Sequence, residues 1–371
     1  MKTYQEEKKW IWQDKNFPNF TYDKVALDRL YYKFGQLAMV EQFISNDDAT
    51  SLQLDRLLNE ALSTSAIEGE ILQRSSVRSS INKILKLGLE DDYSYTRESD
   101  ALIEVLLDAK INKASLNEKR LFAWHTALFP NGSSGLRNIT TGAYRDDNEP
   151  MQIVSGAWNK EQIHFVAPPS KDVAKMMKIF LDWLNNNDEL NPIYKAAIAH
   201  LYFVLIHPFE DGNGRIARSI TDYVLAKASL TNATFYSIST TIYQKRKEYY
   251  KVLDKVCIAT NQDITLWMKW FIELLEESID ATLKEIEAVK IKATFWNRHR
   301  ETKLNERQKK VILKMLEYLP EEFEGGMKVK KYTSITKTTP LTASRDLADL
   351  VQKGVMQSYG KGRGVFYKII F

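Results

Sequence analysis

The sequence predicts a mainly α-helical chain, with one β-hairpin inside the helical part and a small α+β domain towards the C-terminal end. Three observations predict it. Apolar residues recur at three- and four-residue spacing through segment after segment of the 371 residues, the period of helices that bury one face. Alternating apolar and polar runs, the mark of half-buried strands, are scarce in the helical part and gather at 151–169. Beyond residue 300 the composition shifts, and helical patterns give way to two β-prone stretches joined by "GKGRG".

Residues 1–49 contain "WIWQDKNFPNFTYD" (10–23), aromatic and extended around Pro18, which is expected to pack on the core. The core is expected over 50–290. It begins with "SLQLDRLLNEALSTSAIE" (51–68), where Leu54, Leu57, Leu58, Ala61 and Leu62 fall on one helical stripe. In "MQIVSGAWNKEQIHFVAPP" the runs Gln152–Ser155 and Gln162–Val166 flank a Gly-Ala-Trp-Asn turn and are closed by Pro168 and Pro169, which reads as a hairpin. Amphipathic helices follow at 172–187 and 263–290, the second ending in alternating charge that suggests an exposed extension. A linker is expected at 291–303. From 304 to 371 the pattern is a helix (Glu306 to Tyr318), a short segment "YTSITKTT", a helix over Leu341 to Lys353, and the two β-prone stretches.

Bulk properties narrow the function. Cys257 is the only cysteine, so an internal disulfide or a multi-cysteine zinc site is excluded and a reducing compartment is expected. No run approaches the 18 apolar residues of a membrane span, and "MKTYQEEKKWIWQDKNF" lacks the apolar segment of a signal peptide. A cytoplasmic protein with no membrane partner is the expectation. Net charge is +4, but from Leu304 onward 13 Lys and Arg stand against 7 Asp and Glu, while the rest holds 39 against 41. The basic tail is compatible with DNA as a partner, and equally with a solvated face.

The densest chemistry lies in "HPFEDGNGR", His207 to Arg215. The preceding segment, "PIYKAAIAHLYFVLI" (192–206), is apolar on nearly every face and so is expected to be a buried helix. His207 precedes Pro208, which disfavours the α region, so the helix should stop there and project the imidazole into the loop. Gly212 and Gly214 lead into a new helix, "RIARSITDYVLAKA", whose N-terminal N–H groups form a cradle for phosphate oxygens. Arg215 and Arg218, three residues apart, share a face and suit a triphosphate. Asp211 is a hard oxygen ligand for Mg2+, which takes only one or two protein carboxylates when phosphates supply the rest. His207 is the candidate general base, able to accept a proton from an attacking hydroxyl near neutral pH. The phosphate-loop pattern with Gly-Lys-Ser/Thr and the dinucleotide fingerprint are both absent.

"HPFEDGNGRIAR" (207–218) meets the signature His-Pro-Phe-x-Asp/Glu-Gly-Asn-Gly-Arg-x-x-Arg without a mismatch. The chain therefore resembles the Fic (filamentation induced by cAMP) family. "GAYRDDN" (142–148) looks like the segment ahead of that family's flap, "IHFVAPP" like the flap's end, and "RKEYYKVLDK" (246–255) like its adenosine-side helix. The resemblance covers about 50–290, with the flap at 151–169. It implies a Fic-type helical bundle and transfer of AMP from ATP to a Tyr, Thr or Ser hydroxyl of a target protein, with the chain itself a further candidate target. In that scheme His207 deprotonates the hydroxyl, Asp211 holds Mg2+, Asn213 with the Gly212 and Gly214 backbone binds phosphate oxygens, and Arg215 stabilises the leaving pyrophosphate. Tyr250 is carried over to the adenine side with Leu253 a turn on; many members have an Asn where this chain has Cys257. "TSAIEGE" (64–70) resembles the family's inhibitory motif, in an inhibitory helix at about 51–69. There Glu68 is expected to pair with Arg218 and occupy the guanidinium that the γ-phosphate needs. Members of this class often dimerise, so a homodimer is a further expectation.

Residues 304–371 resemble a winged helix, with Lys337, Arg345, Lys361 and Arg363 able to meet phosphates or base edges. Two other readings stay open at this stage. One is a DNA-binding regulator whose nucleotide pocket only senses. The other is a relative that moves UMP or phosphate, or that removes AMP from its target.

Overall fold

The computed structural model describes residues 9–43, 46–86, 95–135, 137–147, 149–155, 162–230, 232–321 and 323–371. Eleven helices are described over the first 300 residues: α1 (Asp28–Phe43), α2 (Asn46–Ile67), α3 (Arg74–Leu85), α4 (Arg97–Ile111), α5 (Glu118–Leu128), α6 (Ser170–Asn186), α7 (Pro192–Ile206), α8 (Asn213–Ala228), α9 (Ile238–Gln244), α10 (Arg246–Val256) and α11 (Thr265–Arg298). A two-residue pair, β1 (Ser133–Ser134) and β2 (Arg137–Asn138), precedes the hairpin of β3 (Gln152–Ser155) and β4 (Gln162–Val166). After α11 come α12 (Glu306–Leu316), α13 (Val329–Thr336), α14 (Pro340–Gln352), β5 (Met356–Tyr359) and β6 (Phe366–Ile369). The protein is mainly helical with small hairpins. Among the described residues no helix is long and apolar enough to cross a membrane.

The chain divides into two units, Met1–Ile279 and Asp280–Phe371. The division falls inside α11, which corrects the linker expected at 291–303: the helix runs unbroken to Arg298, and Phe295, 1% exposed, is part of the second unit's core. A composition shift at 301–310 marked the end of a helix, and the boundary between cores lies earlier.

In the first unit α7 is the axial helix. Nearly all of its residues are buried, polar Lys195 and His200 included, because α8 and α6 flank it. Its Pro192 occupies the first turn, where a missing N–H costs nothing, and the Asn191 side chain caps the helix by accepting from Ile193 N. The expected stripe on α2 is broader than apolar spacing suggests. Leu57, Leu58 and Ala61 are buried, Leu54 and Leu62 only half so, and the polar Arg56, Glu60, Thr64 and Ser65 are buried beside them. Glu60 accounts for one of these: its carboxylate accepts from Ser237 Oγ, Ser239 Oγ and Ser239 N, at the start of α9. The aromatic segment near the N-terminus covers the core. Trp10 meets Phe165 edge-on at 5.5 Å, and Trp12 Nε1 donates to the Val166 carbonyl at 2.6 Å.

The hairpin strands begin and end where the sequence places them, while the turn at 156–161 lies outside the described residues. Its register shifts between Ile153 and Val154: Ile153 faces Phe165, Val154 faces Ile163, and His164 is the extra residue of a bulge.

Candidate active site

His207 ends α7 with φ 51°, a left-handed conformation that a non-glycine residue adopts at a cost. Surrounding contacts enforce it. The His207 N–H donates to Phe203 O, and Arg145 grips the loop from the other side, with Nε donating to His207 O at 2.8 Å and its backbone N to Pro208 O at 2.9 Å. Arg145 Nη2 also donates to Pro168 O at 2.5 Å, so one guanidinium ties the 207–214 loop to the base of the hairpin. The His207 Nδ1 hydrogen is directed at Val204 O, 3.3 Å away, which leaves Nε2 as the acceptor. Burial pushes this imidazole down to about 4, against the Val204 carbonyl, which favours the charged form. At neutral pH it is an uncharged base.

Gly212, at φ 79°, caps α8 and turns the chain into the helix; a Cβ there would lie 2.8 Å from the Phe129 ring. At Gly214 a Cβ would meet Glu68 Oε1 at 2.3 Å and Arg218 Nη1 at 3.1 Å. The lack of a Cβ at Gly214 is what lets the Glu68 carboxylate lie this close to the start of α8. Asp211 presents one oxygen to Ser134 Oγ and the other to Gly212 N, while its carbonyl accepts from His125 Nε2 at 3.2 Å. His125 stacks flat on Phe209 at 4.0 Å and accepts from Gly142 N through Nδ1, so its tautomer is set by two backbone groups. Burial pushes it down to about 4.

The Asn213 side chain is engaged within its own loop. Its amide accepts from Phe209 N at 3.0 Å and donates to Phe209 O at 2.7 Å, closing the loop on itself. Phe209, fully buried, anchors the same loop.

Each arginine holds a carboxylate. Arg218 Nη2 meets Glu68 Oε1 at 2.8 Å, with Nε on Thr64 Oγ1 at 2.8 Å and Nη2 on Thr64 O at 3.0 Å. Arg215 Nη1 meets Glu70 Oε2 at 2.8 Å, and its guanidinium lies over the Phe129 ring. Arg215 Nε and Arg218 Nη1 are buried with no hydrogen-bond partner, donors that an anion would satisfy. Burial, with Asp211 and Glu68 nearby, raises the Glu70 carboxyl, although Arg215 pulls it the other way. Sequence reasoning singled out Glu68 and missed Glu70, for which a second carboxylate two residues beyond Glu68 was the available signal.

His207, Gly214, Glu68 and Tyr250 line one cavity of about 620 Å3, bounded on the hairpin side by Ile153 and Val154 and on the α10 side by Leu253 and Asp254. Tyr250 is 38% exposed, and its hydroxyl reaches Ile67 O at 3.4 Å, against the end of α2. Tyr249 is the buried member of the pair and donates to His200 Nε2 at 3.0 Å. A Ser155–His164–Asp254 chain joins hairpin to helix: Ser155 Oγ lies 2.6 Å from His164 Nε2, and His164 Nδ1 donates to Asp254 at 3.0 Å. The bulge directs His164 towards α10, which strand alternation alone does not predict.

Asp211 fits a divalent ion held between protein and phosphates: a single carboxylate beside an anion cradle. Among the described residues no group of three or more acidic, His or Cys side chains forms an all-protein metal site.

Comparison with known proteins follows from this geometry. Residues 115–225 match the Fic/DOC family, and residues 10–87 match a domain of unknown function, DUF4172. Residues 115–225, which hold the whole His207–Arg218 loop, are thus similar to the Fic/DOC family. The protein adenylyltransferase Fic of Nematostella vectensis is 36% identical over 120 residues, 32% of this chain and 26% of that protein. The Drosophila willistoni protein of the same name is 32% identical over 136 residues, 35% of this chain and 26% of that protein. The match thus spans about a quarter of the length of these curated relatives. Among solved structures, a Fic family protein from Desulfovibrio desulfuricans G20 superposes with TM-score 0.51 at 18% identity, covering 95% of this chain and 98% of that one. A Fic domain containing signaling protein from Bacteroides thetaiotaomicron VPI-5482 gives 0.51 at 19% identity, covering 70% and 96%. These likenesses show the Fic fold.

Proposed function

We propose that the protein transfers AMP from ATP to a hydroxyl side chain of a protein target and that Glu68 holds it at low basal activity. The observation that carries this reading is the shared cavity: an uncharged His207 and Gly214 line it together, and the Glu68 carboxylate, paired with Arg218, lies against Gly214 where an anionic oxygen would sit. The curated relatives' name, protein adenylyltransferase, supports the same chemistry.

In this scheme the base and ribose lie between the hairpin and α10, beside Tyr250 and Leu253. The polyphosphate lies over the start of α8, where backbone N–H groups and the two guanidiniums oppose its charge. The target hydroxyl gives its proton to His207 Nε2 as its oxygen bonds to the α-phosphorus; the bond from that phosphorus to the bridging oxygen breaks, and pyrophosphate leaves. Asp211 is the residue that would hold Mg2+, which neutralises phosphate charge when bound. Arg215 stabilises the departing pyrophosphate, and Arg145 keeps His207 in its strained position. The hairpin offers an unpaired edge to an extended target segment, with Val154 and Ile163 44% and 40% exposed.

Glu68 opposes the reaction from the end of α2 by occupying the Arg218 guanidinium, and Glu70 does the same at Arg215. Both must leave for a triphosphate to seat. The test is incubation of Glu68→Gly and Glu68→Gly/His207→Ala with ATP and cell lysate, followed by mass mapping of modified peptides. AMP on Tyr, Thr or Ser peptides with the first variant and none with the second supports the proposal. Modification that survives loss of His207 contradicts it.

A further inference from the structure

We propose that Trp10, Ile11 and Trp12 are positioning residues of the nucleotide cavity, which set affinity for the base and ribose of ATP without touching either. This role rests on the placement of base and ribose between the hairpin and α10. The three consecutive residues are bonded to both walls of that end of the cavity. Trp12 Nε1 donates to Val166 O at 2.6 Å and Trp10 packs edge-on against Phe165 at 5.5 Å, both on β4. Between them, Ile11 N donates to Cys257 O at 2.7 Å, just past the end of α10. Phe165 and Cys257 line the cavity, and none of the three turn residues does. The turn is closed on itself, with Gln13 N donating to Trp10 O and the Gln13 side chain accepting from Trp10 N at 2.7 Å.

Neither wall is placed by its own local structure. The β3–β4 hairpin has two strands, too few to be stable alone, so its position is set by what grips it: Arg145 at Pro168, His164 at Asp254, and the two tryptophans. On the other wall, Asn261 and Gln262 follow α10 in successive left-handed conformations, φ 56° and 55°. Non-glycine residues adopt this region at a cost and keep it where contacts enforce it. The N-terminal segment supplies those contacts. Gln262 Nε2 donates to Ile11 O at 2.9 Å, Thr21 N to Gln262 O at 2.9 Å, and Thr21 Oγ1 to Asn261 O at 3.0 Å. Phe17 and Phe20 fix the same segment on α7, meeting Tyr202 edge-on at 5.5 and 5.6 Å.

A strand and a helix end bonded to one short turn keep a fixed separation, and the base has to fit that separation. The other end of the cavity is held by different contacts: His207 by Phe203 O and Arg145, and Arg218 by Thr64. Loosening the turn therefore acts on the base end and leaves proton transfer at His207 as it was. The stretch 10–87, matched as a domain of unknown function, bears on the cavity at both ends in this way, through Trp10, Ile11 and Trp12 at one and through Glu68 at the other.

The test is Trp12→Phe in the full chain carrying Glu68→Gly, because phenylalanine keeps an aromatic ring and removes the N–H donor. Calorimetry measures binding of ATP and, separately, of inorganic tripolyphosphate, which has no base or ribose. ATP affinity is expected to fall about 2- to 10-fold, the contribution of one hydrogen bond. KM for ATP should rise by the same factor, while tripolyphosphate affinity and the rate of AMP incorporation at saturating ATP stay unchanged. A general loosening of the fold weakens both ligands equally, and that result overturns the positioning role. So does a lower saturated rate with ATP affinity intact. If Glu68→Gly binds no ATP, the placement of the nucleotide fails and the positioning role fails with it; if it binds ATP and Trp12→Phe leaves that affinity unchanged, the positioning role alone fails.

Discussion

Replacing Glu68 with Gly tests the brake most sharply. Glu68 is 26% exposed on its side chain and lies 2.8 Å from Arg218, which is itself only 2% exposed. Arg218 keeps two further acceptors on Thr64 when the carboxylate is removed, so the guanidinium stays in place and gains a free donor face. A hydrogen bond to a charged group contributes about 1.5–3 kcal/mol. At about 1.4 kcal/mol per decade, its loss shifts the balance towards the nucleotide-competent state by roughly 10- to 150-fold. The assay is the initial rate of AMP incorporation at saturating ATP, with nucleotide binding measured in parallel by calorimetry. Glu68→Gln, which keeps a hydrogen-bond acceptor and loses the charge, is expected to fall between parent and Glu68→Gly. The reasoning is refuted if Glu68→Gly binds ATP with the parent's affinity and transfers AMP no faster.

Further expectations follow from the same geometry. Glu70→Gln frees Arg215 and is expected to raise ATP affinity less than Glu68→Gly does, because the Glu70 side chain is 42% exposed and solvent weakens its ion pair; the double variant should be non-additive, since both carboxylates oppose one polyphosphate. Asn213→Ala removes two hydrogen bonds that close the loop on Phe209 and is expected to lower unfolding free energy by about 2 kcal/mol, read by urea titration; an unchanged midpoint would contradict the clamp. Because His207 is held at about 4, the acid limb of the rate profile in Glu68→Gly should lie nearer pH 4 than the ordinary histidine value of about 6.5. His125 and His200 are also held down by burial, at about 4 and about 3. The unfolded chain therefore binds more protons below about 6.5, and the stability these imidazoles contribute is full above that pH and lost as pH falls towards 4. His200→Gln should flatten the fall of melting temperature over that window, and an unaltered slope would count against it.

Legibility in the sequence followed the range of the interactions. The end of α7 at Ile206, the start of α8 and both hairpin strands were readable, because Pro192, the His207-Pro208 pair, the glycines and the short β-prone runs act within a few residues of themselves. So was the pairing of Glu68 with Arg218, which rests on the family resemblance and is met at 2.8 Å. Contacts set by the tertiary fold were not readable. Arg145 gains its role from three carbonyls more than 20 residues away, and His125 from a carbonyl 86 positions on. His164 reaches Asp254 only because a bulge displaces it. The unbroken helix through 291–298 went unrecognised because its alternating charges resemble a solvated tail, although Phe295 within it is buried.

The central claim, that His207 activates a hydroxyl against the α-phosphorus, is tested most directly with two samples of ATP, one radiolabelled at the α-phosphate and one at the γ-phosphate. Glu68→Gly is expected to place the α label on protein and release the γ label as pyrophosphate, with neither label reaching protein once His207→Ala is added. Label from the γ-phosphate on protein, or α label undiminished without His207, would contradict the account.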